Sequence, residues 1–245
     1  MIELNKVYNE DCLLGMKKID ENSIDTIVTS PPYNKKGLAG GRQVKGNALW
    51  KNFNIDYDEY DDNMVEEEYQ KWQVEILNEC YRVMKDGGSM FYNHKIRRFK
   101  NKAYSPLEWI LKSNFKLYQV IIWNRKSSPN QNKAHLLPTT EYIYWLTKDK
   151  PKVFKNEIPK EYRKEIWDIK PARNPNHPAP FPELIPKLCI KLTTEENDIV
   201  LDPFNGSGTT SSVAENLNRN YIGFEISENY IKNKNSDIIN KKESK

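Results

Sequence analysis

The 245 residues carry 38 Lys+Arg against 34 Asp+Glu, a formal charge of +4, with three cysteines and no long apolar run. That length suits one domain, 1–245, able to bury a core without disulfide or metal staples. Cys12, Cys80 and Cys189 are odd in number, far apart and without C-x-x-C spacing, and the N-terminus has no basic and apolar leader. These features exclude a disulfide framework, a zinc finger, a signal peptide and a membrane span, and place the chain in a reducing cytoplasm.

Taken in chain order, residues 23–29 (SIDTIVT) read as a short buried strand that stops at Ser30-Pro31-Pro32, because proline cannot donate to a ladder. Gly37, Gly40, Gly41 and Gly46, mixed with Lys35, Lys36, Arg42 and Lys45, make residues 35–60 a mobile loop. Residues 56–68 hold eight acids and no base, so the rest of the chain carries a positive excess well above +4. Such an excess suits either a solvated surface or a polyanionic partner.

A helix follows, with Asn63 as N-cap, Glu66 at N3 and an apolar stripe of Val65, Tyr69, Trp72, Ile76 and Cys80. It ends at Gly87, which suits the left-handed position after a helix. Residues 89–93 read as a strand, and Ser105-Pro106-Leu107-Glu108 as a capping box that opens a helix through Leu111. Residues 117–123 and 142–146 are strands rich in aromatic and β-branched residues. The stretch 147–180 is rich in Lys and Pro, poor in apolar periodicity, and reads as an insertion rather than core. A helix at 182–193, a strand at 198–201, a helix from 209 to 217, a strand at 221–226 and a last helix from Ser227 complete the chain. Alternating strands and helices predict an α/β fold with a mostly parallel, doubly wound sheet.

Two strand ends carry chemistry. The first runs Asp202-Pro203-Phe204-Asn205-Gly206-Ser207-Gly208-Thr209, a strand entering a Gly-x-Gly turn that opens a helix, with Glu225 at the end of the next strand. That arrangement suits a nucleoside-containing cofactor, whose ribose hydroxyls an acid can accept. It lacks the Gly-Lys-Ser/Thr of a P-loop, and Ser211 stands where a dinucleotide fingerprint wants Gly or Ala. Asp202 suits a cationic ligand end and repels a pyrophosphate. The second is Ser30-Pro31-Pro32-Tyr33. The prolines hold the Pro31 carbonyl rigidly, the Ser30 hydroxyl is a second acceptor, and Tyr33 offers a stacking face, which together can grip an exocyclic amine.

Ser30–Tyr33 followed far downstream by Asp202–Thr209 resembles the amino-methylating DNA methyltransferases, which methylate N6 of adenine or N4 of cytosine from S-adenosylmethionine. The catalytic motif precedes the cofactor motif, similar to the β, circularly permuted arrangement of that family. The resemblance runs from Tyr8 to about Tyr230, with gaps at 35–60 and 147–175. It implies the Rossmann-like S-adenosylmethionine-dependent methyltransferase fold, with Ser30, Pro31, Pro32 and Tyr33 as the catalytic turn. It also implies that Asp202 and the Phe204, Asn205, Gly206, Ser207, Gly208 and Thr209 segment hold the methionine end, Glu225 the ribose, and Asp11 with Cys12 the adenine. His177, in His-Pro-Ala-Pro-Phe-Pro-Glu, falls beside the methionine carboxylate.

The family's partner is double-stranded DNA. Asn34, Lys35, Lys36, Arg42, Lys45, Arg97 and Arg98 are the expected DNA contacts, and about 147–176 corresponds in position to a short target-recognition insertion. A homodimer, a cognate restriction endonuclease and a bacterial or archaeal cytosol are family expectations; no metal is expected. Ser at the first catalytic position and the form of the His177 segment resemble the cytosine-N4 group, whereas adenine enzymes usually carry Asp or Asn there. The alternatives are an adenine-N6 enzyme and a catalytically silent DNA-binding subunit on the same fold. No cysteine follows a proline, which sets the chain apart from cytosine-C5 methyltransferases.

Overall fold

Strands and helices alternate along the chain and close into one eight-stranded sheet in the computed structural model, which describes residues 2–34, 64–99, 101–126, 136–172, 181–229 and 231. The 35–60 loop with Lys35, Lys36, Arg42 and Lys45 lies outside the described residues, as do Asn63 and His177. In order the elements are β1 (Lys6–Asn9), α1 (Cys12–Met16), β2 (Ile24–Thr29), α2 (Glu66–Val83), β3 (Met84–His94), β4 (Arg97–Phe99), β5 (Lys102–Tyr104) and α3 (Leu107–Ile110). There follow β6 (Lys116–Asn124), β7 (Thr140–Thr147), β8 (Ile166–Asp168), α4 (Leu184–Thr193), β9 (Ile199–Asp202), α5 (Thr209–Asn216) and β10 (Asn220–Glu225).

The sheet order is β1-β10-β9-β2-β3-β7-β6-β8, with β4 and β5 forming a separate hairpin. From β1 to β3 every pairing is parallel; β7 alone runs against its neighbours, and β8 joins β6 in parallel. The carboxyl ends of all the strands except β7 therefore lie along one edge, together with the start of β7. β9 and β2 sit side by side, yet their connections leave in opposite directions, to β10 through α5 and to β3 through α2. That reversal opens a crevice at their carboxyl ends, where α/β sheets take ligands. All six residues of β2 are buried, as expected of a central parallel strand covered on both faces. One apolar cluster joins α1, α2 and α3 to one face of the sheet, and a second joins α4 and α5 to the other.

Four local expectations need correction. The helix α2 begins at Glu66 behind Val65, which makes no side-chain cap and is exposed, while Tyr69, Ile76 and Cys80 form the buried stripe with Trp72 packed against it. Glu66 stands at the first position of the helix rather than the third, and it binds Arg97. Gly87 is left-handed (φ +78°) but ends no helix: Met84 already pairs with Ile24 and Ser89 with Thr26, so Lys85–Gly88 loops out of register inside β3. The stretch after β7 is not a mere insertion. It supplies β8 and buries Ile158, Trp167 and Ile169, with the Trp123 indole donating to the Ile169 carbonyl at 2.8 Å. Three residues of strand among lysines and prolines are too few to show a period.

The Ser105 box is present, its N–H donating to Glu108 Oε1 at 3.0 Å, at the head of a one-turn helix. The cysteines are unpaired and buried, and burial pushes each thiol upward, so they stay neutral packing groups. Among the described residues no helix is long and apolar enough to cross a membrane.

Candidate active site

The crevice between β9 and β2 is walled on one side by the turn after β9. Gly206 (φ +50°) and Gly208 (φ +85°) take backbone conformations that side chains with a Cβ resist, and α5 starts at Thr209 immediately beyond. Two adjacent N–H groups tie the turn to β10. Asn205 N–H donates to the Phe224 carbonyl at 2.9 Å, and Gly206 N–H to Glu225 Oε2 at 2.7 Å, while Glu225 Oε1 accepts from Ser227 N–H at 2.9 Å. Phe204 stacks edge-on against Trp72 of α2, 5.7 Å between centroids. Gly223 lets this turn close: a Cβ there would lie 2.7 Å from Asn205 Oδ1. Gly223→Ala is expected to displace Asn205 and weaken cofactor binding about tenfold, measured by calorimetry, with the fold retained.

β1 lies beside β10 with Asn9 opposite Glu225, so Asp11 and Cys12 follow at the same edge. Asp11 Oδ1 caps α1, accepting from the N–H groups of Leu13 and Leu14 at 2.9 and 3.1 Å. The Cys12 side chain belongs to the apolar cluster under α1, so of the pair Asp11 presents its side chain at the edge and Cys12 its backbone.

Asp202 ends β9 almost wholly buried. Burial pushes its carboxyl up to about 6, against the downward pull of the Thr29 hydroxyl, which donates to Oδ1 at 2.7 Å, and of Phe204 N–H at 3.1 Å. A buried carboxylate with neutral partners alone is a site for a cation. Nearby, Asn205 Oδ1 is a buried acceptor without a hydrogen-bond partner among the described residues. The turn therefore offers an acid, a buried acceptor and close backbone, which fit the ammonium and hydroxyl groups of a nucleoside that carries an amino acid.

The other side of the crevice is the Ser30–Tyr33 turn. Thr29, bonded to Asp202 across 173 residues of sequence, is followed directly by Ser30, so the two motifs share a wall. Tyr69 of α2 fastens the turn from below, its hydroxyl donating to the Pro32 carbonyl at 2.7 Å and meeting His94 Nε2 at 2.9 Å. The Tyr33 ring packs on His94, 4.4 Å between centroids, with Lys95 Nζ 5.5 Å from the ring centre. Its hydroxyl joins a polar cluster: 3.0 Å to Ser30 Oγ, 2.8 Å to Asn93 Nδ2 and 3.1 Å to Glu141 Oε2, with Arg125 on Glu141 Oε1 at 3.0 Å. Asn93, His94, Glu141 and Arg125 were not singled out from the sequence. The only sequence signal was their position at strand ends on this edge.

Among the expected DNA contacts, Arg98 is exposed on the β4–β5 hairpin. Arg97 is not available to a phosphate. It is buried, forks onto both oxygens of Glu66 at 2.8 and 2.6 Å, and lies over the rings of Tyr69 and Trp109. Asn34 is also sealed away; its amide donates to the Met64 carbonyl at 3.0 Å and closes the catalytic turn against the approach to α2.

The sheet order and the two turns at the ends of β9 and β2 together define a methyltransferase of the Rossmann-like, S-adenosylmethionine-dependent fold. The same fold is found in the cytosine-N4-specific PvuII DNA methyltransferase, which superposes with a TM-score of 0.75 over 92% of this chain and 83% of that one, at 22% identity. The chain belongs to the DNA methylase family, whose N6/N4 methyltransferase model matches residues 24–236. It is 33% identical, over 93% of its length, to the type II methyltransferase M.BglII of Bacillus subtilis, of which it spans 67%. It is 29% identical, over 94% of its length, to the DNA adenine methyltransferase YhdJ of Escherichia coli (strain K12), spanning 81% of that protein. The cofactor is accordingly S-adenosylmethionine.

Proposed function

We propose that this chain methylates N4 of cytosine in double-stranded DNA, after the base has left the duplex. The observation that carries the reading is the 2.7 Å bond from Thr29 to Asp202, which sets the Ser30 turn on the wall of the cofactor turn. Asp202 and the 204–209 backbone hold the methionine end of the cofactor, Glu225 its ribose, and Asp11 lies toward the adenine. The bound cofactor supplies an electrophilic methyl group, so the chain's task is alignment. Ser30 Oγ and the Pro31 carbonyl accept the two amine hydrogens, which draws the nitrogen lone pair out of conjugation with the ring. Tyr33, braced from behind by His94, offers its ring to the base. Ser30 in place of an acid or amide at the first catalytic position is what favours cytosine.

Digestion of DNA methylated by the purified enzyme, with the modified nucleoside identified by mass, tests the reading directly. N4-methylcytosine is expected; N6-methyladenine would overturn the choice of base. Ser30→Ala is expected to slow methyl transfer about a hundredfold while leaving cofactor affinity intact, since one preorganised partner is lost. Unchanged transfer in that variant would remove Ser30 from the mechanism.

A further inference from the structure

We propose that Glu141 is the terminus of a proton path, Ser30–Tyr33–Glu141, and that it gives the Ser30 hydroxyl the acceptor strength of an acid. The inference rests on the role assigned to Ser30 above. Hydrogen-bond arithmetic fixes the direction of the chain. The Asn93 side chain lies within 3.3 Å of Ser30 Oγ, Tyr33 Oη and Glu141 Oε2. A carbonyl oxygen facing a carboxylate would repel it, so the Asn93 NH2 is the group turned toward them.

Tyr33 Oη thus accepts from Asn93 at 2.8 Å and sends its single hydrogen to Glu141 Oε2 at 3.1 Å. Its second lone pair takes the Ser30 hydroxyl hydrogen at 3.0 Å. With that hydrogen committed, Ser30 Oγ can only accept from an incoming amine. A hydroxyl alone is ambiguous, able to donate to the amine nitrogen and block its lone pair; the chain removes the ambiguity. Arg125, bonded to Glu141 Oε1 and to the Pro138 carbonyl, holds the carboxylate in place, and Glu141 is only 8% exposed. A hydroxyl polarised through a second hydroxyl by a buried carboxylate is a stronger acceptor than an isolated one.

The same chain disposes of the proton. Once the amine nitrogen has gained its methyl group it carries a positive charge and an acidic N–H. That proton passes to Ser30 Oγ as the Ser30 hydrogen moves to Tyr33 Oη and the Tyr33 hydrogen to Glu141 Oε2. The base ends neutral, both hydroxyls are restored, and Glu141 ends as the neutral acid, to be recharged by solvent after release. Glu141 touches neither base nor cofactor; it is a positioning residue and proton acceptor acting through Tyr33.

Single-turnover methyl transfer to genomic DNA from cells lacking this enzyme, with labelled cofactor bound in advance, tests the chain. Glu141→Gln keeps an acceptor for Tyr33 but not the charge, and Tyr33→Phe keeps the ring but not the hydroxyl. Each is expected to slow transfer at least tenfold, with cofactor affinity by calorimetry and DNA affinity by gel shift unchanged. The double variant is expected to be no slower than either single one, because both break the same path. A wild-type rate in either single variant, or losses that multiply in the double variant, would overturn the proton path while leaving the Ser30 reading standing. Full activity in Ser30→Ala would overturn that reading itself. Should Glu141→Gln fail to fold, Tyr33→Phe decides: a tenfold loss upholds the path and a wild-type rate ends it.

Discussion

Arg97→Ala is expected to unfold the protein at much lower temperature, whereas Arg98→Ala, one residue away, leaves thermal stability unchanged. Arg97 is 3% exposed, and its guanidinium makes two short bonds to Glu66 while covering Tyr69 and Trp109. Truncating it leaves the Glu66 carboxylate without its cation, with Gln70 as a remaining donor at 2.9 Å, and breaking a largely buried pair in this way costs about 3 kcal/mol. For a domain of this length that lowers the melting temperature by roughly 10 °C. The damage reaches function through α2. Glu66 opens that helix, and Tyr69, in its first turn, holds the Pro32 carbonyl of the catalytic turn. Calorimetric scans of the two variants, with DNA affinity measured alongside, separate the roles. Arg98→Ala should weaken DNA binding at low salt and little else. Equal melting temperatures for wild type and Arg97→Ala would refute the buried-pair account.

The contrast between these neighbours shows where sequence reasoning stops. A run such as Lys95-Ile96-Arg97-Arg98 announces positive charge, and charge beside a strand end suits a phosphate. What buries Arg97 is Glu66, 31 residues earlier, and nothing local reports that the hairpin folds back onto the head of α2. The same limit applies to the polar cluster under Tyr33. Asn93 comes from β3, Glu141 from β7 and Arg125 from just past the end of β6, and their meeting depends on β7 being inserted antiparallel between β3 and β6.

By contrast, Ser30–Tyr33 and Asp202–Thr209 are each contiguous, and their chemistry sits in a few consecutive residues that a turn must present together. Proline ending a buried strand and glycine opening a helix are backbone requirements, legible without knowing the partner. Strand β8 failed that test, since three residues cannot display a period and Trp167 among lysines gives no hint of a core. The order of the sheet supplied what neither motif contains, the adjacency of β9 and β2 that brings them to one crevice.

Asp202→Asn is expected to make the cofactor-free protein more stable at pH 8 and at the same time to cost at least a hundredfold in S-adenosylmethionine affinity. The two effects have one cause. In the folded chain the Asp202 carboxyl is pushed up to about 6, above its ordinary value near 3.8, chiefly by burial. The folded state therefore holds this proton more tightly than the unfolded chain. The stability it confers is full below the ordinary value and is lost as pH rises through about 6, so at pH 8 the ionised group is a burden of roughly 3 kcal/mol.

Asparagine keeps the oxygen that accepts from Thr29 and Phe204 but never ionises. Its melting temperature should exceed wild type at pH 8, and the gap should narrow as pH falls below about 6 and close only near 3.8, where the unfolded chain holds the proton as well. A cationic ligand end reverses the balance. It favours the ionised carboxylate, so wild-type affinity should hold above pH 6 and fall by up to tenfold per unit below it, whereas Asp202→Asn should bind weakly with no such dependence from this group. Losing one partner of a buried charge pair typically costs about 2–5 kcal/mol, which is the basis for the hundredfold figure. Calorimetric titrations at pH 5, 6, 7 and 8 on both proteins measure this dependence. A wild-type affinity that stays flat across that range would mean that the cofactor's positive groups do not face Asp202.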